Sequence, residues 1–141
     1  MALIEHPPSV VLLVQEGEQL VAVRQRRPGA HGDVLELPAG TCEPGETIVE
    51  SADRELAEEC GLSVSGWTEL GSFWAAPAYS TERVTALFGT ASGVQAAEPD
   101  DDEDITVERV PSDDAYEYLE DGVSLAALAL WAAKLWAAKP A

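Results

Sequence analysis

Positive charge is scarce in this chain. Eight Lys and Arg stand against 26 Asp and Glu, a formal net charge of −18 and a pI near 4.1. Wrapping a nucleic acid or lying on an anionic membrane needs cationic surface, so the balance argues against both partners. An anionic ligand would need a few placed arginines or a metal ion that inverts the local field. Cysteine is scarce as well: Cys42 and Cys60 are the only two, without CxxC or framework spacing. That usage predicts a reduced, cytoplasmic protein with two incidental thiols. No apolar run is long enough for a membrane span, because "SLAALALWAAKLWAA" is interrupted by Lys134 and falls short of the ~20 residues required. It reads instead as a buried terminal helix, with Trp131 and Trp136 as its core anchors. "MALIEHPPS" has an acidic residue and two prolines in place of a basic flank and an apolar stretch, so no leader is expected. Repeats and linkers are missing too, and 141 residues fit one domain, 1–141, with a core that needs no disulfide or structural metal.

What the chain does contain is alternation of strand and helix signals. "SVVLLVQ" at 9–15 and "LVAVRQRR" at 20–27 are rich in β-branched residues and separated by "EGEQ", which predicts a hairpin. A short strand "VLEL" follows, then the loop "PAGTCEPGE", with two prolines and two glycines. Further strands are predicted at 67–76, 83–91 and 105–110, with the acidic loop "EPDDDED" before the last. Helical patterns close the chain at about 112–121 and 124–138. Helices covering a mixed sheet in a single α/β or α+β domain follow from this order.

The stretch "GTCEPGETIVESADRELAEECGL" carries the chemistry. Thr47 followed by Glu50 is a capping box, and Gly61 stands where a helix ends in the left-handed conformation, so a helix is predicted over 48–60. Ile48, Ala52, Leu56 and Cys60 make its apolar stripe. Glu55, Glu58 and Glu59, related by three and four residues, share a second face, where their carboxylates converge and repel. A solvated face is the ordinary reading of such a cluster. Arg54, one turn from Glu58, and a glycine- and proline-rich loop that brings carbonyls to the helix start favour another: oxygen ligands for a hard divalent ion, which removes the repulsion.

Gly40, Glu46 and Arg54-Glu55-Leu56-Ala57-Glu58-Glu59-Cys60-Gly61-Leu62 match the complete Nudix box, Gx5Ex7REUxEExGU with U aliphatic, and the chain thereby resembles the Nudix hydrolase family. The resemblance implies an α/β/α sandwich and hydrolysis of a nucleoside diphosphate linked to another group, with magnesium or manganese as cofactor. By position Glu55 and Glu59 would be the main metal ligands and Glu58 a further one, directly or through water. The carbonyl of Ala39 would add another, Arg54 would orient the glutamates, and Glu46 would bridge loop and helix.

Outside the box the resemblance narrows to the ADP-ribose pyrophosphatase branch. "VRQRRP" is similar to its strand motif and "ELPAG", beginning at Glu36, to its approach to the box. Pro77 stands fifteen residues after the box, and "AYSTE" is similar to the branch's Pro-Gly-x-x-Ser-Glu with Ala78 in place of glycine. Ser80 and Glu82 then belong at the rim of the cleft, and Glu36 joins them as a substrate-binding candidate. "DDEDITVERVP" resembles the branch's acidic loop and final strand. In the branch a carboxylate of that loop acts as general base, which makes Glu103 the first candidate and Asp101 the second. Members often carry an N-terminal extension that swaps into a partner of a homodimer, whereas only about eight residues precede the first strand here.

On a strand, Arg24 and Arg26 share one face while Arg27 points with Gln25 to the other. A solvated basic edge and phosphate recognition are both open for them. The motif match favours Arg27 for phosphate, with Arg24 second, since a guanidinium pairs with phosphate oxygens through two parallel hydrogen bonds. Phe73 and Trp74 stay open between core and pocket. The expected activity is hydrolysis of ADP-ribose or a related nucleoside diphosphate sugar. The rivals are a Nudix enzyme for a GDP-sugar, a dinucleoside polyphosphate or an oxidised triphosphate, and a Nudix-fold module that binds without hydrolysis. The intact set of Arg54, Glu55, Glu58 and Glu59 argues against the last.

Overall fold

The structure is a computed structural model, described here for residues 2–94 and 104–140. Among the described residues there are eight strands: β1 (Ser9–Glu16), β2 (Gln19–Arg27), β3 (Gly32–Glu36), β4 (Ala39–Thr41), β5 (Leu62–Val64), β6 (Thr68–Trp74), β7 (Arg83–Val94) and β8 (Ile105–Pro111). Two helices, α1 (Ile48–Cys60) and α2 (Gly122–Ala137), complete the described architecture apart from two single 3-10 turns. The predicted hairpin forms at Gln15↔Leu20 and Glu16↔Gln19, after which β1 and β2 part. β2 continues between β3 and β8, both antiparallel. β1 pairs with β4 at its start and runs parallel to β7 over seven residue pairs. β5 and β6 pair antiparallel with β7, so the sheet is mixed.

Alternation along β1 builds both layers of the core. Val11 and Leu13 face one side, with Leu20, Ala22, Leu35, Leu37 and Ala127 of α2. Val10, Leu12 and Val14 face the other, with Val21, Leu87, and Ala52 and Leu56 of α1. A strand buried on both faces reads as a continuous apolar run, which is why 10–14 has no polar interruption. The two helices cover opposite faces of one sheet, the α/β/α sandwich expected from the sequence.

Three expectations are corrected. The helix predicted at 112–121 is a single 3-10 turn at Ala115–Glu117, because Pro111 and Gly122 leave too short a segment to repay helix nucleation. β4 and β5, three residues each, were not expected: β4 lies in a stretch read as a loop, and β5 lies between the helix stop at Gly61 and the strand predicted from 67. Trp136 is not a core anchor: it is 74% exposed, with Lys139 over its ring, whereas Trp131 stacks on Phe88 at a centroid distance of 5.7 Å. Phe73 packs against the α2-side core, and Trp74 lies on the surface beneath the Arg83 guanidinium. Among the described residues no helix is long and apolar enough to cross a membrane.

Candidate active site

The start of α1 is fixed by its own side chains. Thr47 Oγ1 accepts from Glu50 N–H (3.1 Å) and Glu50 Oε1 accepts from Thr47 N–H (2.9 Å), the reciprocal capping box. Gly61 ends the helix at φ 66°, and its N–H donates to Ala57 O. The loop before α1 is tied down by Glu46. Its Oε1 accepts from Glu43 N–H (2.8 Å), Ser51 Oγ (2.7 Å) and Arg54 Nη2 (2.9 Å), while Oε2 accepts from Arg54 Nε (2.8 Å).

Arg54 is the hub of the cluster. Beyond Glu46, its Nη2 donates to the carbonyl of Thr41 (3.0 Å), and its Nη1 donates to Glu55 Oε1 (2.8 Å) and Glu58 Oε2 (3.3 Å). One guanidinium thus holds loop, helix and two of the three clustered glutamates. Glu55 and Glu59 are within hydrogen-bonding contact of each other, and burial, opposed by these contacts, pushes the Glu55 carboxyl above the usual range. Glu58 is exposed. The convergence of three carboxylates is therefore realised for Glu55 and Glu59, while Glu58 lies on Arg54. Among the described residues no three acidic, His or Cys side chains already surround one point.

Gly40, on β4, shows why the box needs a glycine there. A Cβ built on it would fall inside the Glu55 carboxyl group. The strand backbone carrying Ala39 and Gly40 therefore touches that carboxyl directly. A close pair of half-buried carboxylates beside a backbone edge is an all-oxygen donor set short of positive charge, and such a set fits magnesium or manganese.

Arg54 and its neighbours also shape the acid response. The Arg54 hydrogen bonds, helped by Glu43 N–H and Ser51, hold the Glu46 carboxyl down to about 2 from an ordinary 4.5. A carboxylate depressed in the folded state stabilises the fold above its unfolded value, and that contribution is lost as pH falls toward the folded value. Glu46→Gln should therefore flatten the loss of melting temperature between about pH 4.5 and pH 2. Parallel melting curves for both proteins through that window would refute the assignment.

Arg54, Glu55 and Glu59 line a cavity of about 800 Å³, which also receives residues from the start of β1, the end of β2, the segment joining β3 to β4, β7 and the start of α2, whereas Glu46 and Glu58 are not among its lining residues. Arg27 and Glu36 both line it. They are joined by a bidentate pair, Nε to Oε2 at 2.7 Å and Nη2 to Oε1 at 2.9 Å. Glu36 is buried, while Arg27 keeps half its side chain exposed. Glu59 and Asp121 are close enough to Arg27 to favour its charge further. Arg24 lies elsewhere: its Nε and Nη2 donate to Glu108 on β8, outside the cavity lining. Period-two alternation had placed the two arginines on opposite faces, and the fold gives those faces different work.

Glu82 reaches the cavity with its Oε2 accepting from Ser9 Oγ at 2.6 Å. Pro77 sits in the exposed turn 77–79 and Ser80 is buried, its Oγ accepting from Glu82 N–H (3.1 Å); neither lines the cavity. Glu103 and Asp101 lie outside the described residues. The sequence reading missed His6, Ser9 and Asp121, all of which line the cavity. His6 stands in "EHPPS", where its only signal is two prolines that favour extended chain. Asp121 was recognisable only as an N-cap, a role it does play by accepting from Ser124 N–H (3.0 Å).

A family model described as NUDIX domain matches residues 5–131. The chain is 35% identical over 115 residues to an ADP-ribose pyrophosphatase of Escherichia coli (strain K12), covering 74% of this chain and 54% of that protein. It is 31% identical over 121 residues to an ADP-ribose pyrophosphatase of Bacillus subtilis (strain 168), covering 84% and 65%. It thus spans between half and two thirds of the length of these relatives. The crystal structure of an ADP compounds hydrolase superposes with a TM-score of 0.83 at 24% identity, over 92% of this chain and 73% of that one, a likeness of fold. Box, sandwich and family model agree: the chain belongs to the NUDIX domain family.

Proposed function

We propose that this chain is a magnesium-dependent hydrolase, with manganese able to substitute, that splits the pyrophosphate bond of ADP-ribose or a related nucleoside diphosphate sugar into a nucleoside monophosphate and a sugar phosphate. The observation that carries the reading is one cavity with Arg54, Glu55 and Glu59 on one wall and Arg27, locked to Glu36, on another. Glu55 and Glu59, with the Ala39 carbonyl and Glu58 directly or through water, would hold the metal. When bound, the ion neutralises charge on the phosphates and lowers the barrier to attack by water.

The chain's own residues do the rest. Arg54 keeps Glu55 and Glu58 in place against their mutual repulsion. Arg27, fixed at its Nε–Nη2 edge by Glu36, presents a pre-oriented cation to the diphosphate. Water adds to phosphorus, the bridging P–O bond breaks, and the departing phosphate keeps the bridging oxygen. The water's proton must be taken up, and Glu103 is the proposed acceptor, Asp101 the second and Glu58 the third. The acidic surface fits a small anionic substrate that arrives with metal ions and disfavours nucleic acid. We place the reaction in the cytoplasm, in a monomer or homodimer.

The test is turnover of a panel of ADP-ribose, GDP- and UDP-sugars, nucleoside triphosphates and diadenosine polyphosphates, each with magnesium and with chelator. ADP-ribose is expected to have the highest kcat/KM and chelator to abolish it. Magnesium should also raise the melting temperature, by about 2.7 kcal/mol of stabilisation at a hundred times its Kd. A triphosphate about tenfold better than every diphosphate sugar would overturn the substrate assignment. Full activity in chelator would overturn the metal.

A further inference from the structure

The face of α2 turned away from the sheet is apolar. Ser124 and Ala127 are buried, and Val123, Leu128, Leu130 and Trp131 pack on the core from the same side of the helix. Leu125, Ala129, Ala132 and Trp136 lie on the opposite side and are exposed, Leu125 by 38% and Trp136 by 74%. A helix seated on a core by one stripe ordinarily carries polar or charged side chains on the other. This outer stripe has none.

Its spacing points to the kind of partner it fits. Steps of 4, 3 and 4 residues make the seam of a helix that packs on another helix. The side-chain sizes are symmetric about the midpoint between residues 130 and 131: large, small, small, large. Laid antiparallel on a copy of itself, the stripe brings Leu125 opposite Trp136 at both ends and Ala129 opposite Ala132 in the middle. The alanines let the two backbones approach, and the large side chains fill the ends. A two-fold pair requires a patch that is complementary to itself, and this stripe has that property.

Charge selects the same face. Two chains of net charge −18 repel each other, and contact is opposed least where neither brings carboxylates. Residues 122–139 contain no Asp or Glu and hold both lysines of the chain, Lys134 and Lys139. The Lys139 ammonium lies over the Trp136 ring. Antiparallel pairing sets it beside the start of the second α2, where Glu120 is exposed. The two helix dipoles then run in opposite directions side by side, the favourable arrangement.

We propose that the outer face of α2 is a homodimer interface in which two α2 helices pack antiparallel, Trp136 of each chain seated against Leu125 of the other. The inference goes beyond the reaction proposed above and does not depend on it, since none of the four stripe residues lines the catalytic cavity. One helix pair buries less than the ~800 Å² per partner of a standard interface, so the dimer should dissociate with a Kd of about 1–100 μM.

Sedimentation equilibrium of the whole chain between about 1 and 500 μM is expected to show a mass rising from 15.0 kDa toward twice that value. Ala132→Glu places a carboxylate from each chain in the seam and should raise Kd by about a hundredfold or more. The melting curve of the dilute variant should match wild type, because residue 132 is exposed and glutamate is a good helix former. Direction is read by disulfide trapping. A mixture of Leu125→Cys and Trp136→Cys proteins should link on oxidation, while neither links to itself. Antiparallel pairing holds two copies of either position about 16 Å apart along the helix axis, too far to bridge. The native thiols do not compete, since Cys42 is buried and burial pushes the Cys60 thiol up to about 12. A mass of 15.0 kDa at every concentration, or an association that Ala132→Glu leaves unchanged, would overturn the proposal. So would a mixture that fails to link, or cysteine variants that each link to themselves, the mark of a parallel pair.

Discussion

Glu59→Gln is expected to lower turnover by about a thousandfold in saturating magnesium, a barrier increase of about 4 kcal/mol. The substitution keeps size and helix propensity and removes one charge from the Glu55–Glu59 pair. The apolar stripe that seats α1 on the sheet, Ile48, Ala52 and Leu56, is untouched, so the melting temperature without metal should hold or rise slightly as the repulsion is relieved. Magnesium should then stabilise the variant less than the wild type. Glu50→Gln is the control on the same helix. Its side chain accepts from Thr47 N–H, a task glutamine performs in the capping box, so turnover should be unchanged. Turnover of Glu59→Gln within about threefold of wild type, well under 1 kcal/mol of barrier, would remove Glu59 from the ligand set.

The helix bearing these glutamates was legible to the residue because its ends are chemical signals rather than averages. A capping box opens α1 and a glycine at φ 66° closes it, and both are written as single residue types. The long strands were legible for a different reason: β-branched runs announce burial, and turn residues bound them. Three-residue strands give no such signal. β4 exists because the start of β1 offers it a free edge, and β5 because β7 extends to Val94, conditions set by chain far away in sequence. The misreading of Trp136 has the same origin. An apolar helix was assumed to be buried along its whole length, but α2 buries only Ser124 and Ala127 fully, and its last turn carries its apolar side chains into solvent.

The acidic half of the site could be read from one contiguous motif, whereas the opposite wall could not. Arg27 and Glu36 were each marked by resemblance, yet nothing local foretold that they pair with each other at 2.7 and 2.9 Å. His6 and Glu82 are 76 residues apart and meet only because the segment before β1 hydrogen-bonds to the loop before β7. The local box specifies the chemistry, while long-range pairing specifies what is presented to it.

Gly40→Ala carries the second large expected effect, and it separates catalysis from stability. Gly40 is not among the glycines with positive φ, so its backbone accepts alanine, and loss of glycine's freedom in the unfolded chain favours the variant by about 0.4–1 kcal/mol. The new methyl group would occupy the place of the Glu55 carboxyl. Glu55 must then turn away, at a cost of about 0.5–1.5 kcal/mol if driven off its rotamer, breaking its 2.8 Å bond to Arg54 and its contact with Glu59. Stability should shift by no more than about 1 kcal/mol, because these terms oppose each other. Turnover should fall by about a hundredfold or more, since the displaced side chain is a principal candidate ligand. Gly61→Ala should show the reverse. Its φ of 66° strains alanine by about 1 kcal/mol, which lowers the melting temperature while the glutamates stay in place. Turnover of Gly40→Ala within about threefold of wild type, with an intact melting curve, would mean that the position of Glu55 against β4 is not the one the reaction uses.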